Sequence, residues 1–551
     1  MSKKIFFKIT TLVFLVLIFF ISIFLVCELG EKKNIGKENE NINYIPPTPM
    51  EWKTDSGINV IYYRDDELPL VRASLYIRGS VEECENPLLL EALGALLKLG
   101  GTKKYEAKDL DLKLETLSAS LSSSWGNEYG KISFSSLLED VETLFDIVSD
   151  MLFAPRFDEK EIELWKLKKI DAIRRRVDSP SAIARTKYGN VLYKSLNYGY
   201  ISNEKDVQKI TRKDLFSIKE KFVVPRDVYF TVVGPISKEK INSLLDTYFS
   251  NWKDFSNWKD KKGSKIENNE IKKNKIENNK NNNKNKDSDK DKGNDKGKVK
   301  DKDNDKGKVK DKDNVKDNDA LNAKYDYKPL SKQIYFMKKD ALTQATLYIV
   351  GKGPKIDEQK HVNYAVFSEY LGTGGFSSIL LRDLRVNKGL VYGTYGGVFP
   401  SYPYGIATIF IETSDEKLSK ALLSAEKIVS DLKNREKVDE KTLSEIKKAM
   451  QNAEIFKTSS LDALVDRKFT FKFWGFSNDY DKLYKERVKN FSVDDVVSIG
   501  NEYMNLEDAF IVVVASSNAL ENLKNLMKDN ETIFSKYNLN ICNVDKDVFC
   551  K

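Results

Sequence analysis

An order of elements is written twice along this chain. Residues 73–78 read A-S-L-Y-I-R and residues 345–350 read A-T-L-Y-I-V, each alternating as a half-buried strand does. Residues 129–136 (Y-G-K-I-S-F-S-S) find a counterpart in residues 404–411 (Y-G-I-A-T-I-F-I). Around these markers both halves run strand, helix, helix, strand, strand, helix, and then a late apolar strand. Recurrence on that scale argues for tandem duplication. The order favours, in each half, an antiparallel sheet with helices packed on one face, an α+β architecture.

The first half is the easier to read. Residues 57–63 and 71–77 alternate as strands around the turn Arg64-Asp65-Asp66-Glu67. Residues 86–105 follow, N-P-L-L-L-E-A-L-G-A-L-L-K-L-G-G-T-K-K-Y. Asn86 suits an N-cap, Pro87 the first helical position, and Gly100-Gly101 the stop. Between them only Glu91 and Lys98 are charged, so this helix is expected to be buried. Further helices are expected at 108–118, 139–153, 158–176 and 238–252, with strands at 118–125, 131–136 and 229–234. In the second half the expected helices are 362–371, 376–387 and 414–432. Its expected strands are 345–350, 392–398, 404–411 and 508–515.

Other stretches carry no fold. Lys3, Lys4 and Lys8 precede an apolar run over residues 9–26, a positive region followed by a hydrophobic one, as in export signals. At 18 residues the run is also long enough to span a bilayer if it is retained. Phe24-Leu25-Val26-Cys27 resembles a lipoprotein cleavage box, which would put a lipid on Cys27. Residues 28–49 form a polar spacer. Residues 258–325 are Lys, Asn and Asp with almost nothing to bury, and N-D-K-G-K-V-K-D-K-D occurs at 294–303 and again at 304–313. Such a stretch is expected to be a disordered linker. It bounds an N-terminal domain at 50–257 and a C-terminal domain at 326–535, with a tail at 536–551.

Charge excludes one class of function. The net charge is +8, but residues 259–318 alone hold 21 Lys against 14 acidic residues. The remainder is close to neutral, so no nucleic-acid footprint on a folded face is expected. Of the four cysteines, Cys542 and Cys550 could pair in an oxidising compartment, though spacing does not fix connectivity, and no spacing suggests a zinc cluster. His361 is the single histidine. A zinc site of the H-x-x-E-H kind needs two, so this chain cannot build one alone. His361, just after Asp357-Glu358, is expected at a surface or capping position.

The G-T-K-K-Y that closes the buried helix, after a leader and a strand pair, resembles the insulinase and mitochondrial processing peptidase family. That family carries the inverted zinc motif H-x-x-E-H on this helix. Counting back from Gly101-Thr102, the histidines fall on Ala92 and Leu96 and the glutamate on Ala95. The third ligand, a glutamate on the long helix, falls on Ala172, with Asp171 about 100° away around that helix. In the second half, residues 371–392 read L-G-T-G-G-F-S-S-I-L-L-R-D-L-R-V-N-K-G-L-V-Y. They resemble the family's L-G-G-G-F-S-S-R-L…L-R-E-x-x-G-L-x-Y, with its arginine on Arg385 and its tyrosine on Tyr392. No G-K-S/T follows the glycines, so a phosphate cradle is not indicated.

The resemblance implies a clamshell of two processing-peptidase-like domains. It implies that Arg385 and Tyr392 hold substrate backbone, a task for which a guanidinium fork and a phenol are suited. The expected function is a non-catalytic partner subunit that binds extended peptide and complements a zinc-bearing paralogue, the zinc residing only in that partner. Two alternatives stand beside it: an active zinc metalloendopeptidase, and a purely structural scaffold subunit. The expected location is exported and membrane-anchored, at the periplasmic or cell-envelope face.

Overall fold

Strands β1 (Met50–Lys53) and β2 (Asn59–Arg64) open the first sheet, and β3 (Leu70–Arg78) lies at its centre. In β3 the odd-numbered positions Val71, Ala73, Leu75 and Ile77 are buried in one core, and Tyr76 points to the other side. The sheet is completed by β4 (Ser120–Trp125), β5 (Tyr129–Leu137) and β6 (Val228–Gly234), in the order β1-β2-β6-β3-β5-β4. The second sheet holds β7 (Gln333–Lys338), β8 (Gln344–Lys352), β9 (Val391–Phe399), β10 (Ile406–Ser414), β11 (Phe510–Ala515) and β12 (Asn538–Asn543), in the order β12-β7-β11-β8-β10-β9. Apart from the outermost strands β1 and β12, the two orders are equivalent, and the molecule is α+β with two tandem domains.

This computed structural model describes residues 47–194, 196–250, 252, 331–457 and 459–544. Thr48–Lys551 forms one unit and Met1–Pro47 another, of which only Pro47 is described. The apolar run 9–26, Cys27, the segment 258–325 and Cys550 therefore lie outside the described residues. Among the described residues no helix is long and apolar enough to cross a membrane. Cys542 is disulfide-bonded, and Cys84 is a free buried thiol.

Two expectations need correction. The sheets are mixed, because β2 runs parallel to β6, and β7 runs parallel to both β11 and β12. Parallel neighbours need long crossovers, and the helices that separate these strands in sequence provide them. The helices also do not keep to one face. The first half contributes α1 (Pro87–Leu99), α2 (Ala107–Thr116), α3 (Val141–Phe153), α4 (Glu159–Arg175), α5 (Pro180–Leu192), α6 (Glu204–Lys209), α7 (Arg212–Phe222) and α8 (Lys238–Tyr248). The second contributes α9 (Glu358–Ser368), α10 (Leu418–Asp431), α11 (Glu440–Lys457), α12 (Leu461–Phe473), α13 (Tyr480–Asn490), α14 (Val493–Tyr503) and α15 (Ser517–Met527).

Helix α12 crosses to the first sheet, where Val465, Phe469 and Phe473 cover Ile61, Tyr76 and Val233. Helix α5 crosses to the second, where Ile183, Ala184, Val191 and Leu192 cover Tyr348, Val350 and Val512. The exchange is anchored at the repeated tyrosine. Tyr76 of A-S-L-Y-I-R stacks on Phe469 at 3.6 Å, and Tyr348 of A-T-L-Y-I-V meets Tyr188 at 5.0 Å. Large aromatic areas buried this way dominate packing energy. Polar contacts fix the exchange: Tyr76 donates to Asp466 at 3.0 Å, and Tyr404 donates to the Leu192 carbonyl at 2.8 Å.

Helix α1 starts as its sequence directs. The Asn86 side chain accepts from the Leu88 amide, and Gly101 takes φ +69° just past the end. Gly94 lets α1 lie directly on the edge strand, since a Cβ there would meet the Trp125 amide nitrogen at 2.1 Å. Gly372 repeats the device against Gly396 of β9, also at 2.1 Å.

Candidate functional site

Side chains at the four positions matched to zinc ligands and base lie on α1 and α4. Ala92 and Leu96 are fully buried in the first core, Ala95 is half-buried against it, and Ala172 is exposed. Methyl and isobutyl groups offer no lone pair to a metal and no proton to move. Among the described residues no group of three His, Cys, Asp or Glu is placed to hold a metal ion. The donor set therefore does not fit zinc. An ion pair links the two helices instead. Lys169 of α4, one turn before Ala172, donates to both oxygens of Glu91, which precedes Ala92, at 2.5 and 2.6 Å. Glu91 is half exposed, so this contact is worth about 0–1 kcal/mol.

The surface or capping position expected for His361 is not what the structure shows. The N-cap of α9 is Asp357. The imidazole packs against Trp474 and Phe476, and its Nδ1 is hydrogen-bonded to the Tyr480 hydroxyl at 2.5 Å. Burial, and then the nearby Arg467, Lys457 and Arg487, push its pKa down to about 4.

Arg385 and Tyr392 meet solvent. Arg385 lies on the π-helical turns Leu381–Asn387, which are held to the core by fully buried Leu384. Wide turns of this kind recur at functional sites. Its neighbour Arg382 is tethered to Thr442 at 2.7 Å and Asp439 at 3.2 Å. Arg385 has no side-chain partner among the described residues. Tyr392 is 52% exposed. Its exposure comes from a register shift: Glu412 pairs with Gly393, but Thr413 pairs with Val391, so Tyr392 is the extra residue of a bulge. A bulge re-aims side chains at a sheet edge, and β9 is the edge strand of its sheet. β9 packs on the turns that carry Arg385.

Beyond Tyr392 the outer face of the second sheet carries an aromatic row that sequence reading did not single out. Tyr395 stacks on Phe410 at 4.8 Å and donates to the Tyr348 hydroxyl at 3.4 Å. Tyr188 reaches Tyr348 from α5. Burial raises the pKa of Tyr348 and of Tyr188, and the cation of Arg185 opposes that in both. The signal was available in the spacing Tyr392–Tyr395 and in the twice-written L-Y-I, but the arrival of Tyr188 and Arg185 was not, since they lie in a helix that local periodicity does not announce. β4, the far edge of the first sheet, pairs only with β5 among the described strands and lies under α1.

Two separate stretches match one family. Residues 64–194 match the insulinase family (peptidase family M16), and residues 296–450 match the peptidase M16 inactive domain. The chain belongs to the insulinase family. An uncharacterized zinc protease of Bacillus subtilis, YmxG, is 20% identical over 372 residues, 67% of this chain and 74% of that protein. The structure of a peptidase M16 inactive domain from Pseudomonas fluorescens matches with a TM-score of 0.66 at 18% identity, over 86% of this chain and 98% of that one. The periplasmic protease PqqL of Escherichia coli matches with a TM-score of 0.61 at 12% identity. That match covers 86% of this chain and 46% of PqqL, so this chain spans about half of that protein. Within the family, the chain carries the arginine/tyrosine signature and lacks the zinc-site residues.

Proposed function

We propose that this chain is a non-catalytic subunit that binds extended peptide and complements a zinc-bearing insulinase-family paralogue. One contrast carries the reading. The four positions for metal and base are hydrocarbon, while Arg385 and Tyr392 stand exposed with no side-chain partner among the described residues. An extended peptide would add to an exposed edge, for which β4 and β9 are the candidates, with its carbonyls within reach of a guanidinium and a phenol. Metal, activated water and general base would come from the paralogue. The alternative of an active zinc metalloendopeptidase would need donors that Ala92, Ala95, Leu96 and Ala172 do not supply. The leader over residues 9–26 supports export, in keeping with the periplasmic location named for PqqL, with lipidation at Cys27 as one means of anchoring.

The test is reconstitution. The full chain is assayed for bound zinc and for peptide cleavage, alone and mixed with a paralogue that carries H-x-x-E-H. Cleavage only in the mixture, reduced roughly 10- to 100-fold by Arg385→Ala, is the expected result for a charge-assisted contact worth about 1.5–3 kcal/mol. Stoichiometric zinc with cleavage by the chain alone overturns the reading. Full activity of the mixture with Arg385→Ala favours the scaffold.

A further inference from the structure

A cavity of about 230 Å³ lies between α5, the end of α4 and residues 198–202. Its walls include two arginines, Arg176 and Arg185, and no acidic residue. Arg176 is half-buried, and its guanidinium is held in place by the Ser202 carbonyl at 3.3 Å and hydroxyl at 3.2 Å. The wall is further fixed by Asn190, whose amide donates to the Gly199 carbonyl at 3.0 Å, and by Tyr200, which donates to Asp206 at 2.7 Å. Arg185 is exposed and has no ion pair or hydrogen bond among the described residues. A fixed guanidinium and a free one facing a single cavity form a receptor for a planar, bidentate anion.

A second observation points the same way. Gly189 lies inside helix α5 and lines the cavity. Glycine in a helix interior is destabilising, and it is normally explained by close packing. At Gly189 nothing lies within 4 Å of where a Cβ would be. The missing side chain leaves space rather than avoiding a clash.

The location ties this cavity to the peptide-binding surface. Arg185 acts electrostatically on Tyr188 and Tyr348, and Tyr348 is joined through Tyr395 to the strand that presents Tyr392. On the other side Arg176 senses Glu91 on α1. The two arginines of the cavity thus act electrostatically on α1 on one side and on the Tyr348–Tyr395 row on the other.

We infer that this cavity is a carboxylate subsite, so that the peptides this chain binds are acidic, carrying either an Asp or Glu side chain or a free C-terminus to Arg176 and Arg185. The inference rests on the peptide-binding reading given above. The chemistry is shared by the two sources of carboxylate, and three fluorescent nonapeptides separate them: one with a central Glu and an amidated C-terminus, its Gln counterpart, and the Gln peptide with a free C-terminal carboxylate. Anisotropy with the full chain gives the three affinities.

At least about tenfold tighter binding of the Glu amide or of the free-carboxylate peptide than of the Gln amide is expected, and whichever peptide gains identifies the source. Arg185→Gln, at an exposed position, and Gly189→Leu, which fills the cavity from a site with open space, should each bring that ratio close to one. Circular dichroism confirms that both variants are folded. Arg385→Ala should weaken all three peptides alike and keep the ratio. Equal affinities in the unaltered chain, or a ratio that survives both Arg185→Gln and Gly189→Leu, overturn the subsite while leaving peptide binding in place. Failure of all three peptides to bind removes the peptide-binding reading and the subsite with it.

Discussion

His361 shows what a single residue can report. Its pKa of about 4 is depressed chiefly by burial, against about 6.5 in an unfolded chain. The unfolded state therefore binds the proton more readily. The stabilisation is complete above about pH 6.5 and is lost as pH falls toward 4, by up to about 3 kcal/mol. His361→Phe should flatten that part of the stability curve, measured by urea unfolding at pH 7 and pH 5. Because the chain has one histidine, its imidazole proton resonances need no assignment. They should titrate near 4, and a midpoint near 6.5 would refute the burial seen here. Residue counting gave the number of histidines and hence the limit on zinc chemistry. It could not give the pocket of Trp474, Phe476 and Tyr480, because those residues arrive from more than a hundred positions away.

At the scale of elements, two helical glycines make opposite predictions. Gly94→Ala places a methyl 2.1 Å from the Trp125 amide nitrogen, so α1 must lift off β4. A large fall in melting temperature is expected, or no soluble protein. Gly189→Ala meets nothing within 4 Å and gains helix propensity, so it should stabilise by about 0.5–1 kcal/mol in the same assay. Both glycines look alike in sequence, each inside an apolar or mixed helix. Helix α1 itself was legible to the residue, from Asn86-Pro87 to Gly100-Gly101, because its caps are local. The bulge at Tyr392 was not, since it depends on how Glu412 and Thr413 pair across the sheet. Helices α5 and α12 went unread for a related reason. Their apolar faces serve the other half of the chain, and their own surroundings in sequence say little about it.

On the scale of the whole molecule, the exchange of α5 and α12 makes the two halves interdependent. Without the second half, Ile61, Tyr76 and Val233 would lose their cover, and α5 would lose its sheet. Trypsin has its densest sites among the 21 lysines of residues 259–318. Cleavage there is expected to leave both halves in one complex on size exclusion, melting in one transition. Phe469→Ala, which removes the ring stacked on Tyr76, should lower stability by about 3–5 kcal/mol and loosen that nicked complex. Separation of the halves without denaturant would contradict the exchange.

What the residues alone decided was the tandem α+β plan, the family, and the hydrocarbon side chains of Ala92, Ala95, Leu96 and Ala172 at the positions that the resemblance assigns to metal and base. Each of these is written in local order: strand alternation, helix caps, and side-chain chemistry at a counted spacing. What only the folded chain decided was where partners from distant sequence meet. The crossing helices, the bulge beneath Tyr392 and the seat of His361 all rest on contacts between segments with no shared local pattern. A polypeptide's nearest-neighbour order fixes its elements, but the burial of their remaining apolar faces is settled only when those elements compete for one another.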